Sequence, residues 1–390
     1  MLKRLLQLNM PIGQSIFLWG ARKTGKSTYL EKHFPNSIYY DFLKTELSLQ
    51  FSKNPQEFRE EILALSEQEL QKPIILDEIQ KIPVLLDEIH WLIEHRKPAY
   101  FILCGSSARK LKKTGANFLG GRAWRYTFYP LVYPEIPNFD LLKALNAGLI
   151  PSHYLSSNPH KTLKSYVHDY LTEEIKAEGL TRDLPMFARF LDTVAFCNGE
   201  LVNYTNIARD CGIDAKTVQA YYEILVDTLL GYYVMPYTKT INRQLIHATP
   251  KFYLFDTGVT NSITKNSIGT LKGIEAGRSF EQYIMMELMA YKGLNDLDFD
   301  IRFWRTKQGL EVDFILGKGE VAIEVKISDH VSKKDIKGLV AFTQEYHPKN
   351  SFVVCLSPRK RKILLEHGEI TVLPYKEFLT KLWEHEIINK

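Results

Sequence analysis

No stretch constrains this chain more than Gly20-Ala21-Arg22-Lys23-Thr24-Gly25-Lys26-Ser27. It follows the apolar run Ser15-Ile16-Phe17-Leu18-Trp19 and opens a helical pattern from Lys26 to His33. Strand, glycine-rich turn and helix, in that order, form the context a phosphate-binding loop requires. Gly20 and Gly25 let the backbone curl so that several N–H groups point at one place. The new helix adds its positive N-terminal end. The loop, with Thr28 just behind it, is therefore expected to hold a nucleotide. Lys26 reaches the β- and γ-phosphates, and Ser27 ligates Mg²⁺.

The second half of such a site follows downstream. Ser37–Asp41 reads as a short strand and Pro55–Leu65 as a helix. In Pro73-Ile74-Ile75-Leu76-Asp77-Glu78 an apolar strand runs into two carboxylates. Asp77 at the strand's end suits the Mg²⁺ shell, and Glu78 suits orienting and deprotonating the attacking water. Pro83–Glu94 reads as an amphipathic helix, and Tyr100–Cys104 as a buried strand ending in Gly105-Ser106-Ser107. A serine there, Ser106 or Ser107, can sense the γ-phosphate or cap a helix starting near Ala108. From His95 to Pro134 no acidic residue occurs, while Arg96, Lys97, Arg109, Lys110, Lys112, Lys113, Arg122 and Arg125 do. Most of these read as a solvated basic face. Arg122, after Gly120-Gly121, reads either as an ordinary surface arginine or as a candidate arginine finger acting within one subunit or across two.

Composition sets outer limits. A chain of 390 residues, 45% hydrophobic and 24% charged, has room for two or three domains with sizeable cores. Its net charge of +5 permits an acidic partner such as DNA without demanding one. Cys104, Cys197, Cys211 and Cys355 lack metal spacing and read as buried free thiols of a cytoplasmic protein. No apolar stretch is long enough to span a membrane. Met1–Met10 reads as a short amphipathic helix, not a signal peptide.

The phosphate loop, Leu76-Asp77-Glu78-Ile79-Gln80, Gly105-Ser106-Ser107-Ala108 and Gly121-Arg122 together resemble bacterial and archaeal AAA+/STAND-like ATPases. The resemblance implies ATP and Mg²⁺, an additional-strand parallel sheet, a helical lid and a C-terminal half of unknown function. Helices are expected over Leu141–Ala147, Thr162–Glu178 and Met186–Phe196, in the region of that lid.

Residues 203–212 read as a short helix ending at Gly212, and Ile213–Tyr222 as a second helix with Asp214 as its cap. Helix, tight turn, helix is the helix-turn-helix pattern, and strands at Tyr232–Met235 and Phe252–Phe255 supply a wing. On DNA, Lys216, Thr217 and Gln219 would face a groove and Arg243 would meet phosphate. Packing or protein contact is the competing use.

The last third carries another constellation. A helix over Arg278–Leu288 holds Glu281, and Ile301–Trp304 reads as a strand. Glu311–Leu316 and Val321–Lys326 form a hairpin across Gly317 and Gly319. A helix from Lys333 to Tyr346 and a strand Phe352–Leu356 follow. Asp313 and Glu324 fall at neighbouring strand positions, with Lys326 on the same face as Glu324. Two carboxylates can hold Mg²⁺, Glu281 can complete the site, and the lysine can activate water and stabilise a pentavalent phosphate. This pattern, Asp then Glu-x-Lys, resembles the restriction-endonuclease-like nucleases. Arg359-Lys360-Arg361-Lys362, with Lys333, Lys334 and Lys337, suits a phosphate backbone or a solvated face.

The expected class is α/β. A P-loop ATPase core spans 1–135, a helical lid 136–200, a winged helix 201–270 and a nuclease-like domain 271–390. The expected activity is Mg²⁺-dependent ATP hydrolysis coupled to DNA binding and a metal-dependent nuclease. The competing expectations are a nucleotide-gated signalling switch that forms a homo-oligomer, and a DNA-binding regulator with vestigial hydrolysis.

Overall fold

A computed structural model describes residues 2–95, 98–106, 108–109, 111, 119–171, 184–238 and 249–388. It divides into two compact units: residues 3–130 with 227–229, and 131–226 with 230–390.

In the first unit, β1 (Ser15–Trp19), α1 (Lys26–His33), β2 (Tyr39–Asp41), α2 (Thr45–Lys53), α3 (Pro55–Leu63), β3 (Ile74–Asp77), α4 (Leu85–His95), β4 (Phe101–Gly105) and β5 (Ala123–Thr127) follow in order. The strands pair in the order β2-β3-β4-β1-β5, all parallel. β1, β3 and β4 are buried along their whole length, as continuous apolar runs covered on both faces must be. Parallel pairing puts Trp19 beside Gly105, and Asp77 beside Cys104. The polar residues that follow each strand therefore gather along one edge.

One expectation fails here. Residues 2–10 form no helix. Arg4 instead reaches the loop, donating to the Thr24 carbonyl at 2.7 Å and the Tyr129 carbonyl at 2.6 Å. The helix α2 was not anticipated. Its Leu47, Leu49 and Phe51 alternate like strand residues, and only Phe51 is buried.

The second unit contains α5 (Leu141–Ala147), α6 (Pro151–Tyr154), α7 (Pro159–Ser165), α8 (Leu184–Phe196), α9 (Tyr204–Cys211), α10 (Ala215–Asp227), β6 (Gly231–Pro236), β7 (Lys251–Leu254), α11 (Thr257–Thr264) and α12 (Ile274–Leu294). Then come β8 (Ile301–Arg305), β9 (Glu311–Leu316), β10 (Val321–Lys326), α13 (Lys337–Tyr346), β11 (Asn350–Cys355), β12 (Arg361–Leu364), β13 (Glu369–Pro374) and α14 (Tyr375–Trp383). The helix expected over Thr162–Glu178 starts at Pro159 and widens into a π turn over Tyr166–Leu171; residues 172–183 lie outside the described residues. Gly212, left-handed at φ 70°, turns α9 into α10, whose N-terminus Asp214 caps through Thr217 N at 3.0 Å.

The three domains expected beyond residue 135 are knit together. The antiparallel hairpin β6–β7 joins β8 through β6, so one sheet runs β12-β13-β11-β10-β9-β8-β6-β7. Leu141, Ala144 and Leu145 of α5 share a core with Phe280, Tyr283 and Ile284 of α12. Long-range apolar burial of this kind leaves no trace in local periodicity. Asp256 pins the junction, accepting from Leu149 N at 2.6 Å and capping α11 through Val259 N at 3.0 Å.

Gly258 lies against the end of α5: a Cβ there would stand 2.4 Å from the Ala147 carbonyl carbon and the Gly148 nitrogen. Gly258→Ala is expected to cost about 1–3 kcal/mol, as forced overpacking does, and to lower the melting temperature by several degrees. Gly269→Ala, with open space around it, is expected to stay within about 0.5 kcal/mol. Thermal denaturation of the two variants checks this.

Candidate functional sites

At the carboxyl edge of the first sheet, the loop Gly20–Gly25 leaves β1 and enters α1. Gly25 takes φ 99° and Lys23 φ 60°, the left-handed turns that aim successive N–H groups inward. Gly20 packs under Phe128, whose carbonyl oxygen would stand 2.4 Å from any Cβ. Thr24 closes the loop by donating to the Ala21 carbonyl at 2.7 Å. Lys26, buried, donates to the Gly20 carbonyl at 2.6 Å and the Ala21 carbonyl at 3.1 Å. Its ammonium thus bridges the very loop it was expected to serve. Arg22 is half-buried, while Thr28 points to solvent.

The carboxylate strand meets this loop. Ser27 Oγ donates to Asp77 Oδ2 at 2.6 Å, and the Tyr39 hydroxyl donates to the same oxygen at 2.6 Å. Burial, then the Asp77 carboxylate, push the Tyr39 phenol far above its ordinary value, so it stays a donor. Glu78 follows in left-handed backbone at φ 61°. That conformation costs a non-glycine residue about 1–3 kcal/mol and tends to mark functional positions. Gln80 Nε2 donates to Glu78 Oε2 at 2.5 Å and to Ser106 Oγ at 3.0 Å. Ser106 is thereby placed beside Glu78, while Ser107 lies outside the described residues. Gly105 leaves room beneath them, since a Cβ there would fall 2.2 Å from Gln80 Oε1 and 2.7 Å from the Trp19 ring. Tyr39 and Arg4 were not anticipated, since each acts through a distant partner and carries no local signature; Gln80 closes the motif Leu76–Gln80, but its tie to Ser106 was not anticipated.

Arg122 does not join this group. It precedes β5, whose Ala123 pairs with Ser15 at the opposite end of β1, and its carbonyl accepts from Gln14. The five residues of β1 separate the two edges by about 16 Å at ~3.3 Å per residue. Its guanidinium is exposed and bonded to Glu94 on α4. A finger role within one subunit is therefore ruled out by distance. Arg96, Lys97, Lys110, Lys112 and Lys113 lie outside the described residues.

In the second unit, β9 and β10 bring Asp313 and Glu324 together, both buried. Asp313 Oδ2 accepts from Val325 N at 2.7 Å, and Lys326 Nζ lies 2.6 Å from Glu324 Oε1. Burial, then the Glu324 and Glu281 carboxylates, raise Asp313 well above the usual carboxylate range. Burial also raises Glu324, against the pull of Lys326. Burial opposes the Lys326 charge, but Glu324 and Asp313 outweigh it and the lysine titrates higher than normal. Glu324 Oε2 is buried without a hydrogen-bond partner. Glu281 stands near but is engaged elsewhere: its Oε1 accepts from Tyr253 at 2.5 Å and from Lys251 at 3.2 Å. Among the described residues, no group of three or more His, Cys, Asp or Glu side chains is arranged to hold a metal ion. Of the three expected ligands, Glu281 is the one held by Lys251 and Tyr253.

On α10, Lys216 and Gln219 are exposed and Thr217 donates to Asp214 at 2.5 Å. Arg243 lies outside the described residues. The basic run at β12 is partly compensated, with Lys362 2.6 Å from Glu369 and Lys360 3.8 Å from Glu377. All four cysteines are free thiols. Among the described residues, no helix is long and apolar enough to cross a membrane.

Residues 13–137 match an AAA domain family. Residues 138–268 and 276–378 match two domains of unknown function, DUF8612 and DUF4143. Two uncharacterized proteins, from Mycobacterium bovis and Mycobacterium tuberculosis, are each 24% identical over 310 residues, covering 76% of this chain. The chain spans 66% of the length of these curated relatives, just under two thirds. A solved Walker-type ATPase of Pyrococcus abyssi is similar at 16% identity and TM-score 0.41, over 64% of this chain and 90% of that one. The AAA match supports a P-loop ATPase domain at the N-terminus.

Arg122→Ala is expected to leave nucleotide affinity within about twofold of the parent, as a surface change away from the site should. Titration with a fluorescent ATP analogue checks it; a tenfold loss would place Arg122 in the binding site.

Proposed function

We propose that this chain binds ATP at the loop Gly20–Thr28 and hydrolyses it. The observation that carries the reading is the 2.6 Å hydrogen bond from Ser27 to Asp77, which joins the phosphate loop to the carboxylate strand. These two oxygens suit a hard divalent cation, and Mg²⁺ bound there would neutralise the charge developing on the β- and γ-phosphates. Lys26 exchanges the Gly20 and Ala21 carbonyls for phosphate oxygens. Glu78 orients water and takes its proton. Ser106, tied to Glu78 through Gln80, senses the γ-phosphate. For Arg122 the remaining role is across subunits, in a homo-oligomer.

A second reading concerns the C-terminal unit. The meeting of Asp313, Glu324 and Lys326, with an unpartnered buried oxygen on Glu324, favours a metal-dependent phosphodiesterase acting on DNA. Its order of α12, β8, β9, β10, α13 and β11 fits the restriction-endonuclease-like core. A divalent cation held by Asp313 and Glu324 would activate water, while Lys326 stabilises charge on the phosphate. The helix-turn-helix α9–α10 with the β6–β7 hairpin fits a winged helix, whose Lys216 and Gln219 face the nucleic acid. ATP state then governs access to the strand.

Lys26→Ala is expected to lower ATP turnover at least about 100-fold, the scale of losing one transition-state donor. Phosphate release at saturating ATP measures this, and parental turnover in that variant would sink the reading. Single- and double-stranded DNA incubated with Mg²⁺ or Mn²⁺, with and without ATP, tests the second. Cleavage is expected for the parent and absent in Asp313→Ala; equal cleavage by both would refute it.

A further inference from the structure

Lys251 opens β7 with its side chain 4% exposed. Its Nζ lies 2.5 Å from Glu311 Oε1 and 3.2 Å from Glu281 Oε1, and it stands 5.6 Å from the centre of the Phe303 ring. Two residues along the strand, Tyr253 donates to the same Glu281 oxygen. The other oxygen of Glu311 faces Arg305 at 3.3 Å. A polar cavity of about 450 Å³ is lined by Lys251, Arg278, Glu281, Arg305 and Glu311.

An ammonium and a divalent cation compete for the same oxygens. Glu281 Oε1 already receives two donors, which exhausts its lone pairs. Glu324 Oε2 receives none. Removing the ammonium would leave Glu281 and Glu311, both half-buried, without their shared counter-charge, and a metal ion is the natural replacement.

We propose that Lys251 is a built-in cation that withdraws Glu281 and Glu311 from metal binding, leaving Asp313 and Glu324 as the ligands of a single divalent ion. It also fastens strand β7 to α12 and β9. The inference deepens the second reading above and rests on its cation site.

Mn²⁺ alone is the probe, titrated calorimetrically into the full chain. Every variant carries Asp77→Asn, so that the nucleotide site contributes nothing. Glu281→Gln is expected to keep Mn²⁺ affinity within about twofold, while Glu324→Gln loses at least tenfold. Lys251→Met is expected to gain a second Mn²⁺, and Lys251→Met with Glu281→Gln to lose it again. Mn²⁺ should also raise the melting temperature of Lys251→Met more than that of the parent. Equal losses in Glu281→Gln and Glu324→Gln would overturn the proposal, as would a folded Lys251→Met with no added Mn²⁺. If the parent binds no Mn²⁺ but Lys251→Met binds one that Glu281→Gln removes, the parental cation site falls and the role of Lys251 stands. Should Lys251→Met fail to fold, the comparison of Glu281→Gln with Glu324→Gln decides alone.

Discussion

The hydrogen bond between Ser27 and Asp77 exists because five parallel strands stop at a common edge. β4 lies between the loop strand β1 and the carboxylate strand β3, so whatever follows β4 falls between Lys26 and Asp77. That insertion accounts for Gly105, which leaves room for Gln80, and for Ser106, which Gln80 ties to Glu78. The loop also hangs on its neighbours: Gly20 donates to the Gly105 carbonyl at 3.3 Å, and Phe128 donates to Trp19 at 2.6 Å. Backbone pairing, more than any single side chain, fixes where the charged groups meet.

What could be read from residue order follows from the same physics. β1, β3 and β4 are buried on both faces, so each is an unbroken apolar run ending in polar residues, and the loop, Asp77, Glu78 and Ser106 stand at those ends. Asp313, Glu324 and Lys326 were legible through strand periodicity, and Glu281 through the helix that precedes them. Other features could not be read this way. Gln80 and Tyr39 acquire meaning from partners 26 and 38 residues away. Arg122 follows glycines in sequence, but pairing of β5 with β1 sends it to the far edge. Glu281 belongs to the cluster in space, yet Lys251, 30 residues earlier, claims its oxygen. A lysine heading the apolar segment Phe252-Tyr253-Leu254 was a faint signal that this charge goes inside.

The two units treat charge differently. Around Asp77 the donors are hydroxyls, which yield to a metal ion at small cost. Around Glu281 and Glu311 the donor is a desolvated ammonium, whose removal leaves two half-buried carboxylates without their counter-charge. The first arrangement suits a ligand that comes and goes, the second a permanent fixture.

The union of β6 with β8 has a bearing on how the chain can be divided. A fragment starting near residue 271 would keep β8 through β13 but lose the two strands that cover the flank of β8. An uncovered flank is a row of open N–H and C=O groups inviting another chain to pair with it. The strands that sequence reads as a wing are thus the selvedge that keeps the sheet from unravelling into its neighbours.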